Sequence, residues 1–305
     1  MAGKTIPRAH RPVPVTRIGT AAAVVAVVFW GLGNVLVKHI NLSGLSLALN
    51  RLCLGAIVYT GALYVTGGRL SLRSLRRAAA GGVAFGLDIA LFFVALKHTS
   101  VADASIITAL QPALVFVVAG RLFGERVTGR VVAWTGLATL GVAISVFGSS
   151  SGAGRSTGGD LLAAASLAAW AWYFVASRQA REQMGALEYQ SALTIVATFV
   201  VAPLALVTSH DLVVHDPATA GWVLVMVLVP GGGHLIMNWA HHHAPITLMS
   251  MVTLGIPVVA TAGAALLLGE PVTLVEAIGM SIAVLAIAMI VWHPLRSSPP
   301  PAPVA

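Results

Sequence analysis

Long apolar runs separated by short polar segments recur ten times along the chain. Each run has about 17 to 23 residues, enough for a helix to cross the roughly 30 Å hydrocarbon core of a bilayer at about 1.5 Å per residue. The pattern predicts membrane-spanning helices over residues 18–37, 45–65, 78–96, 104–122, 131–147, 161–177, 187–208, 220–240, 246–268 and 274–292.

The composition excludes a soluble globular protein. Hydrophobic residues make up 57% of the chain and charged residues only 9%, whereas soluble domains carry about 25% charged residues. Cys53 is the single cysteine and lies inside an apolar run, so neither a disulfide nor a cysteine metal cluster can form within one chain. An all-α polytopic membrane protein is the predicted class.

The basic residues predict the orientation of the chain in the membrane. Of the 18 Lys and Arg residues, fourteen fall on the side that carries both termini, three fall opposite, and Arg51 lies within the second run. Basic residues concentrate on the cytoplasmic side of membrane proteins. We therefore expect a multi-pass membrane protein with both termini in the cytoplasm. The net charge of +8 sets topology and does not indicate nucleic acid binding.

Polar segments divide the chain into two similar halves. We expect a basic N-terminal tail (1–17), a first repeat (18–147), a Gly/Ser linker (148–159), a second repeat (160–292) and a Pro-rich C-terminal tail (293–305). Between residues 95 and 146, a shift of 145 positions gives fifteen identities in fifty-two positions. These include Pro112 with Pro257, and Gly124-Glu125 with Gly269-Glu270.

An odd number of spans in each repeat fixes their relative orientation. After five crossings the second copy enters the membrane from the opposite face, so the two five-helix repeats must be inverted. Inverted repeats are a transporter architecture with the substrate site near the bilayer midplane. The sequence therefore points to a carrier.

Paired motifs in the two halves carry a family resemblance. They are Phe29-Trp30-Gly31, Asn50-Arg51, the segment from Ala95 to Ser105, Gln111-Pro112 and Leu122 to Glu125, then Trp239 to Ile246, Pro257 and Leu268 to Glu270. Their order and duplication resemble the two EamA domains of the drug/metabolite transporter superfamily over residues 24–291. The resemblance implies a ten-span carrier of the cell inner (plasma) membrane that exports small metabolites, amino acids or drugs. From the inverted repeats we expect alternating access, with secondary active coupling.

Two ionisable residues fall deep within predicted spans. Asp88 lies about 16 Å into the third span, and Arg51 lies about seven residues into the second. Charges at this depth are costly and mark functional sites. Two hypotheses stay open: an ion pair in which the residues only neutralise each other, or a direct role for Asp88 in proton coupling or substrate binding.

Aromatic and amide side chains complete the predicted cavity. Trp30 and Asn34 lie one helical turn apart, and Trp170 and Tyr173 supply aromatic rings in the second half. Such a wall suits an amphipathic neutral or zwitterionic solute, although helix packing explains the same residues. We also assign Gln111, His234 and Asn238 to the cavity.

Proline residues at matching positions suggest hinges. Pro112 and Pro257 lie in the middle of the fourth and ninth runs, where proline frees a backbone carbonyl and kinks a helix. Gly82 and Gly86 form a face that predicts close helix packing.

The histidine run at residues 241–243 raises the alternative of a metalloenzyme or lipid-modifying protein. Adjacent helical residues point about 100° apart, so we favour contact of the run with lipid headgroups over a metal site. No cofactor or metal is expected. The expected partners are a small-molecule substrate and the lipid bilayer, with monomer or homodimer left open.

Overall fold

Helices account for all the regular structure in the described part of the chain. The computed structural model describes residues 16–98, 104, 107–125, 127–147, 156–268 and 272–292. Its helices are α1 (Arg17–His39), α2 (Gly44–Val65), α3 (Leu72–His98), α4 (Gln111–Phe123), α5 (Gly129–Phe147), α6 (Thr157–Arg181), α7 (Ala186–Thr208), α8 (Pro217–Leu228), α9 (Pro230–Ala240), α10 (Ile246–Val252), α11 (Gly255–Leu268) and α12 (Leu274–Trp292). Most of both predicted tails and of the Gly/Ser linker, together with Ser105, Gly269 and Glu270, lies outside the described residues.

The predicted ten-span, all-α membrane fold is confirmed. Eight helical stretches are long and apolar enough to cross a membrane, and the shorter apolar helices α4 and α5 supply the other two spans. Helices α8 and α9 form one span, Pro217–Ala240, and α10 and α11 form another, Ile246–Leu267. Each five-span repeat therefore contains the same order of spans, and in the second copy both the third and the fourth span are divided into two helices.

The ends of several helices follow directly from the sequence. The hydroxyls of Ser43 and Ser156 accept from backbone N–H groups in the first turns of α2 and α6, and Asp216 does the same for α8. At the other end of α4, Gly124 has a φ of 65°, the left-handed conformation that glycine adopts without strain. Gly124 thereby turns the chain so that Glu125 points back into the bundle.

Helices from the two repeats interleave with a twofold pattern. α3 packs against α6 and α7, while its counterpart span α8–α9 packs against α1 and α2. The pairs α2 with α7 and α5 with α12 join equivalent helices directly. Each contact thus has a partner related by exchange of the repeats, as inverted copies require. The core lies where α1, α3, α6 and α9 meet.

Glycines allow the closest of these contacts. A Cβ atom added to Gly82 or Gly86 would touch side chains and backbone of α7, so the packing predicted for this face is confirmed. Gly141 of α5 and Gly279 of α12 face each other, and a Cβ on either would overlap the backbone of the other helix. With no hydrophobic effect between helices in lipid, such close backbone contact supplies much of their attraction.

The prolines expected to kink two spans instead begin new helices. Pro112 lies in the first turn of α4, directly after a turn at Ala109 and Leu110, and Pro257 lies in the first turn of α11, after a turn at Thr253 and Leu254. Proline is favoured there because its missing N–H would have no partner in a first turn. The expectation of kinks inside continuous helices was wrong, while a hinge role for these breaks stays a prediction.

We expect Gly141→Val to destabilise the protein strongly, because its side chain must displace the backbone of α12. Overpacking of this kind costs about 1–3 kcal/mol or more. The change is measured as a fall in melting temperature. The detergent-solubilised protein is heated, and unfolding is monitored by the loss of its monodisperse size-exclusion peak. Gly136→Val on the same helix is the control, because a Cβ there has no neighbour within 4 Å. Equal melting temperatures for both variants would contradict this account of the α5–α12 contact.

Candidate functional site

A cavity of about 700 Å³, including its open mouth, lies at the centre of the bundle. Both repeats contribute to its wall through α1, α2, α3, α6, α9 and the broken spans. Its lining residues are Trp30, Gly33, Asn34, Arg51, Asp88, Ile89, Phe92, Phe93, Thr108, Ala109, Trp170, Met226, Pro230, His234, Thr253, Ile256 and Pro257. Six of the nine side chains predicted to bind substrate are among them: Trp30, Asn34, Arg51, Asp88, Trp170 and His234.

Asp88 presents the negative charge of this cavity. Its side chain on α3 is only 5% exposed, and the Ser166 hydroxyl of α6 donates a hydrogen bond of 2.6 Å to Oδ1. One oxygen is therefore held in place by the opposite repeat. Ser166 was not predicted, although it lies one helical turn before Trp170 and so shares its face.

Arg51 presents the positive charge. It is also 5% exposed, and its guanidinium lies over the Phe93 ring, 5.5 Å from the centroid. Within the ranges that the structure describes, no ion pair of 4.0 Å or less joins Arg51 to Asp88. Of the two hypotheses, the structure does not show a direct ion pair: both charged side chains line the same cavity.

Aromatic rings form one wall of the cavity. The Trp30 and Trp170 rings meet edge to face with centroids 4.9 Å apart, and His234 lies 4.8 Å from Trp30. These distances fall in the range in which aromatic pairs attract each other beyond simple burial. The indole Nε1 of Trp30 is buried and has no hydrogen-bond acceptor among the described residues. This atom lies beside Gly233 of α9, so Trp30 contributes ring surface to the cavity.

Tyr173 and Asn238 lie behind this wall and do not line the cavity, contrary to expectation. The Tyr173 hydroxyl lies 3.2 Å from Nδ1 of His234 and donates to Oδ1 of Asn238 at 3.4 Å. Asn238 in turn donates to Gln190 of α7 at 2.9 Å. Buried polar side chains need partners, and these satisfy one another. Their role is to orient His234.

Gln111 is also absent from the cavity wall. It is fully buried, and the hydroxyl of Thr253 donates to its Oε1 at 3.2 Å. The contact joins the start of α4 to the break between α10 and α11, which are equivalent positions in the two repeats. Gln111 therefore links the two broken spans.

One end of the bundle is sealed by buried polar contacts, here called the polar layer: Glu125, Arg178, Arg181, His241 and Thr247. Glu125 accepts hydrogen bonds from the backbone N–H groups of Ile246 and Thr247, both at 2.9 Å, and from the Thr247 hydroxyl at 2.6 Å. A carboxylate at a helix N-terminus is favoured by the exposed N–H groups and the helix dipole. This contact fixes α10 to the end of α4.

The two arginines of the polar layer hold the end of α9. Arg178 donates to the carbonyl of His241, and Arg181 Nε donates to the carbonyl of Asn238 at 2.8 Å. Cations bonded to the last carbonyls of a helix stabilise its C-terminus. Arg178 also lies over the Phe123 ring of α4. The layer therefore connects α4, α6, α9 and α10 at one end of the cavity.

The histidine run divides between interior and surface. His241 is fully buried against Phe174, so the expected contact of this residue with lipid headgroups is wrong. His242 is exposed and His243 stacks on Trp239 at 3.9 Å. Burial, and then the charge of Arg181, lowers the pKa of His242 below its ordinary value. Across the described residues, no group of three or more His, Cys, Asp or Glu side chains is arranged to hold a metal ion.

A different contact holds the opposite end. In the connection between α7 and α8, Asp211 accepts from the backbone N–H of Ser43 at 2.5 Å and from the hydroxyls of Ser43 and Ser46. Burial raises the pKa of Asp211, but these hydrogen bonds outweigh it, so its pKa lies below the ordinary value. The charged carboxylate therefore anchors this connection to the first turn of α2.

Comparison with known proteins agrees with the fold and assigns the class. Residues 17–147 and 157–292 each match the EamA-like transporter family. A solved crystal structure superposes with a TM-score of 0.74, at 19% sequence identity, over 88% of this chain and 95% of that chain. No curated protein matches the sequence significantly.

The protein is a multi-pass membrane transporter built from two homologous repeats. More particularly, because the matched residues span nearly the whole chain, it belongs to the EamA-like transporter family. Membership of this family implies a small-molecule substrate and a lipid environment. It gives no support to the alternative of a metalloenzyme.

Proposed function

We propose that this protein is a secondary carrier that exports a small zwitterionic solute, of amino-acid type, by alternating access. The observation that carries the proposal is the presence of two opposite, unpaired charges, Arg51 and Asp88, on the wall of one buried cavity.

The two charges require a ligand that matches both. A buried charge without a partner costs several kcal/mol. A solute with a carboxylate and an ammonium group offsets both costs at once, the carboxylate at Arg51 and the ammonium at Asp88. A multiply anionic solute would meet only one cation and the repulsion of Asp88, so sugar phosphates are disfavoured.

The remaining wall suits the body of such a solute. Ligand sites are mostly apolar, have volumes of about 300–1,000 Å³ and contain a few fixed polar groups. The central cavity has this character, because apolar residues form most of its wall and Asn34, Arg51 and Asp88 supply fixed polar groups. Trp30, Trp170 and Phe92 offer apolar surface, and the side chain of Asn34 adds both a donor and an acceptor.

The two ends of the cavity support alternating access. The polar layer closes the end at which α6 and α9 terminate, whereas Asn34, Phe93 and Thr108 extend the cavity toward the opposite end. With both termini in the cytoplasm, the closed end is cytoplasmic and this conformation faces outward. Opening of the polar layer together with closure of the outer end would complete the cycle.

The substrate assignment is tested with leucine and its two single-charge analogues, 3-methylbutylamine and 4-methylpentanoic acid. Ligand-induced shifts in melting temperature and counterflow in proteoliposomes measure binding and transport. We expect leucine to bind at least about tenfold more tightly than either analogue. In Asp88→Asn protein, leucine should lose most of its tighter binding relative to 4-methylpentanoic acid, because the partner of its ammonium group has been removed.

Asp216→Asn is the matched control, since Asp216 caps α8 on the surface and asparagine caps equally well. Equal binding of leucine and both analogues would refute the zwitterion assignment. Full leucine transport by folded Asp88→Asn protein would remove Asp88 from the mechanism.

The polar layer makes a separate prediction for Glu125→Gln. Hydrogen bonds to a charged group contribute about 1.5–3 kcal/mol, so loss of the charge should loosen the start of α10 and favour the inward-facing state. Hydrogen–deuterium exchange at the amides of Ile246 and Thr247 should accelerate about tenfold or more.

Glu276→Gln is the control for Glu125→Gln. Glu276 accepts from the backbone N–H of Thr273 at 2.7 Å at the start of α12, outside the polar layer. Unchanged exchange at residues 246 and 247 in well-folded Glu125→Gln protein would refute the role of Glu125 in closure.

The orientation is tested with topology reporters fused after Gly124 and after Gly269. Because the repeats are inverted, we expect the first reporter in the cytoplasm and the second on the outer side. Alkaline phosphatase and fluorescent-protein fusions score the two sides independently. Reporters on the same side would exclude the inverted orientation.

A further inference from the structure

Four arginines cluster on the surface of the protein where α3 begins. Arg69 lies in the connection from α2, and Arg73, Arg76 and Arg77 lie in the first two turns of α3. All four side chains are exposed, and no acidic residue occurs between residues 69 and 77. These four residues are here called the arginine face.

Most of the positive charge on the arginine face has no partner in the protein. Arg77 donates to the carbonyl of Gln183 at 3.4 Å. In the described ranges, the other three arginines form no hydrogen bond, ion pair or ring contact. Glu188, at the start of α7, instead accepts from the hydroxyl of Ser74 at 2.5 Å. An external anion can therefore bind three guanidinium groups without displacing a protein partner.

The arginines of α3 lie on the side of the helix that faces lipid. Ser74 and Ala78 mark the opposite, buried side of the first turns. Arg76 is followed on its own side by Ala80, four residues later, and by Leu87, seven residues after that. Ala80 is exposed, and Leu87 is 39% exposed. The arginine face is therefore one end of a lipid-facing strip of α3.

The length of α3 places the arginine face at the membrane surface. The helix has 27 residues and is about 40 Å long, about 10 Å more than the hydrocarbon core of a bilayer. Near its other end, Lys97 donates to the carbonyl of Ile40, which follows the end of α1. The apolar part of α3, residues 78–96, begins directly after Arg77. The arginines thus lie at the depth of the lipid headgroups.

We propose that the arginine face binds the phosphate of an anionic phospholipid, whose acyl chains lie along the strip that contains Ala80 and Leu87. Guanidinium groups form paired hydrogen bonds with phosphate oxygens. A zwitterionic headgroup is disfavoured, because its ammonium group would meet four cations and no acidic residue of this segment. The inference is independent of the transported solute.

The positive charge on this side of the membrane also sets topology. Topology requires only the charge and its side. It does not require that unpartnered guanidinium groups share one lipid-facing strip, which is the arrangement that a bound phosphate requires.

The experiment measures binding of phosphatidylglycerol and phosphatidylcholine, with identical acyl chains, to the purified full-length protein by native mass spectrometry. Wild-type protein should bind the anionic lipid at least about tenfold more tightly. The double variant Arg73→Gln/Arg76→Gln removes two guanidinium groups that have no partner in the protein. In this variant the two lipids should bind within about twofold of each other.

Two further double variants complete the design. Arg121→Gln/Arg130→Gln is the matched control, because it removes two exposed arginines at the end of α4 and the start of α5, outside the arginine face. It should keep the preference of the wild type. Arg73→Lys/Arg76→Lys keeps the charge but loses the paired hydrogen bonds, so the preference should fall severalfold. This variant serves if the glutamine variant folds poorly.

Three results would overturn the proposal. An unchanged preference in the variants at Arg73 and Arg76 would exclude the arginine face. Equal losses in these variants and in the variant at Arg121 and Arg130 would show that total charge selects the lipid. Displacement of phosphatidylglycerol by inorganic phosphate at the same phosphate concentration would indicate a site for a free anion.

Discussion

The cost of a charge in the interior of a membrane protein governs this structure. Lipid provides no hydrogen bonds, and even at the centre of a helix a charged side chain costs about 2.5–3.5 kcal/mol. The chain nevertheless places Asp88 and Arg51 on one central cavity and supports only the first with a hydrogen bond, from Ser166. Stability alone would favour an ion pair or two apolar residues. The proposed zwitterionic substrate rests on this arrangement of the two charges.

The same cost explains how one end of the bundle is closed. There, charged side chains bind backbone N–H and carbonyl groups at the ends of helices. Glu125 binds the first N–H groups of α10, and Arg178 and Arg181 bind the last carbonyls of α9. Both helices end inside the protein, where their free backbone groups have no water to bind. The contacts satisfy these groups only while α4 and α6 stay against them. Closure of the cavity is thus coupled to the satisfaction of helix ends.

Much of the fold follows from the sequence because the signals are long and repeated. Apolar runs define the spans, and the shared Gly-Glu and proline positions define the duplication. Asp88 and Arg51 stand out since charges are rare in such runs. Tyr173, Asn238 and Gln111 were placed wrongly at the cavity, because polar residues that bind each other between helices look identical in sequence to those that face a ligand. Ser166 carries no signal of its own, since its role depends on Asp88 across the helix interface.

These charges also bear on how the proposed cycle is driven. A loaded carrier passes through its occluded state with both charges neutralised by the solute. The empty carrier returns without that neutralisation, so its return is slower unless Arg51 moves to Asp88 or a proton neutralises the carboxylate. The first route gives a uniporter that runs down the solute gradient, and the second couples export to proton entry. In the proposed cycle, the ion pair considered from the sequence would thus belong to the empty carrier during its return, and the separated charges to the outward-facing state that releases the solute.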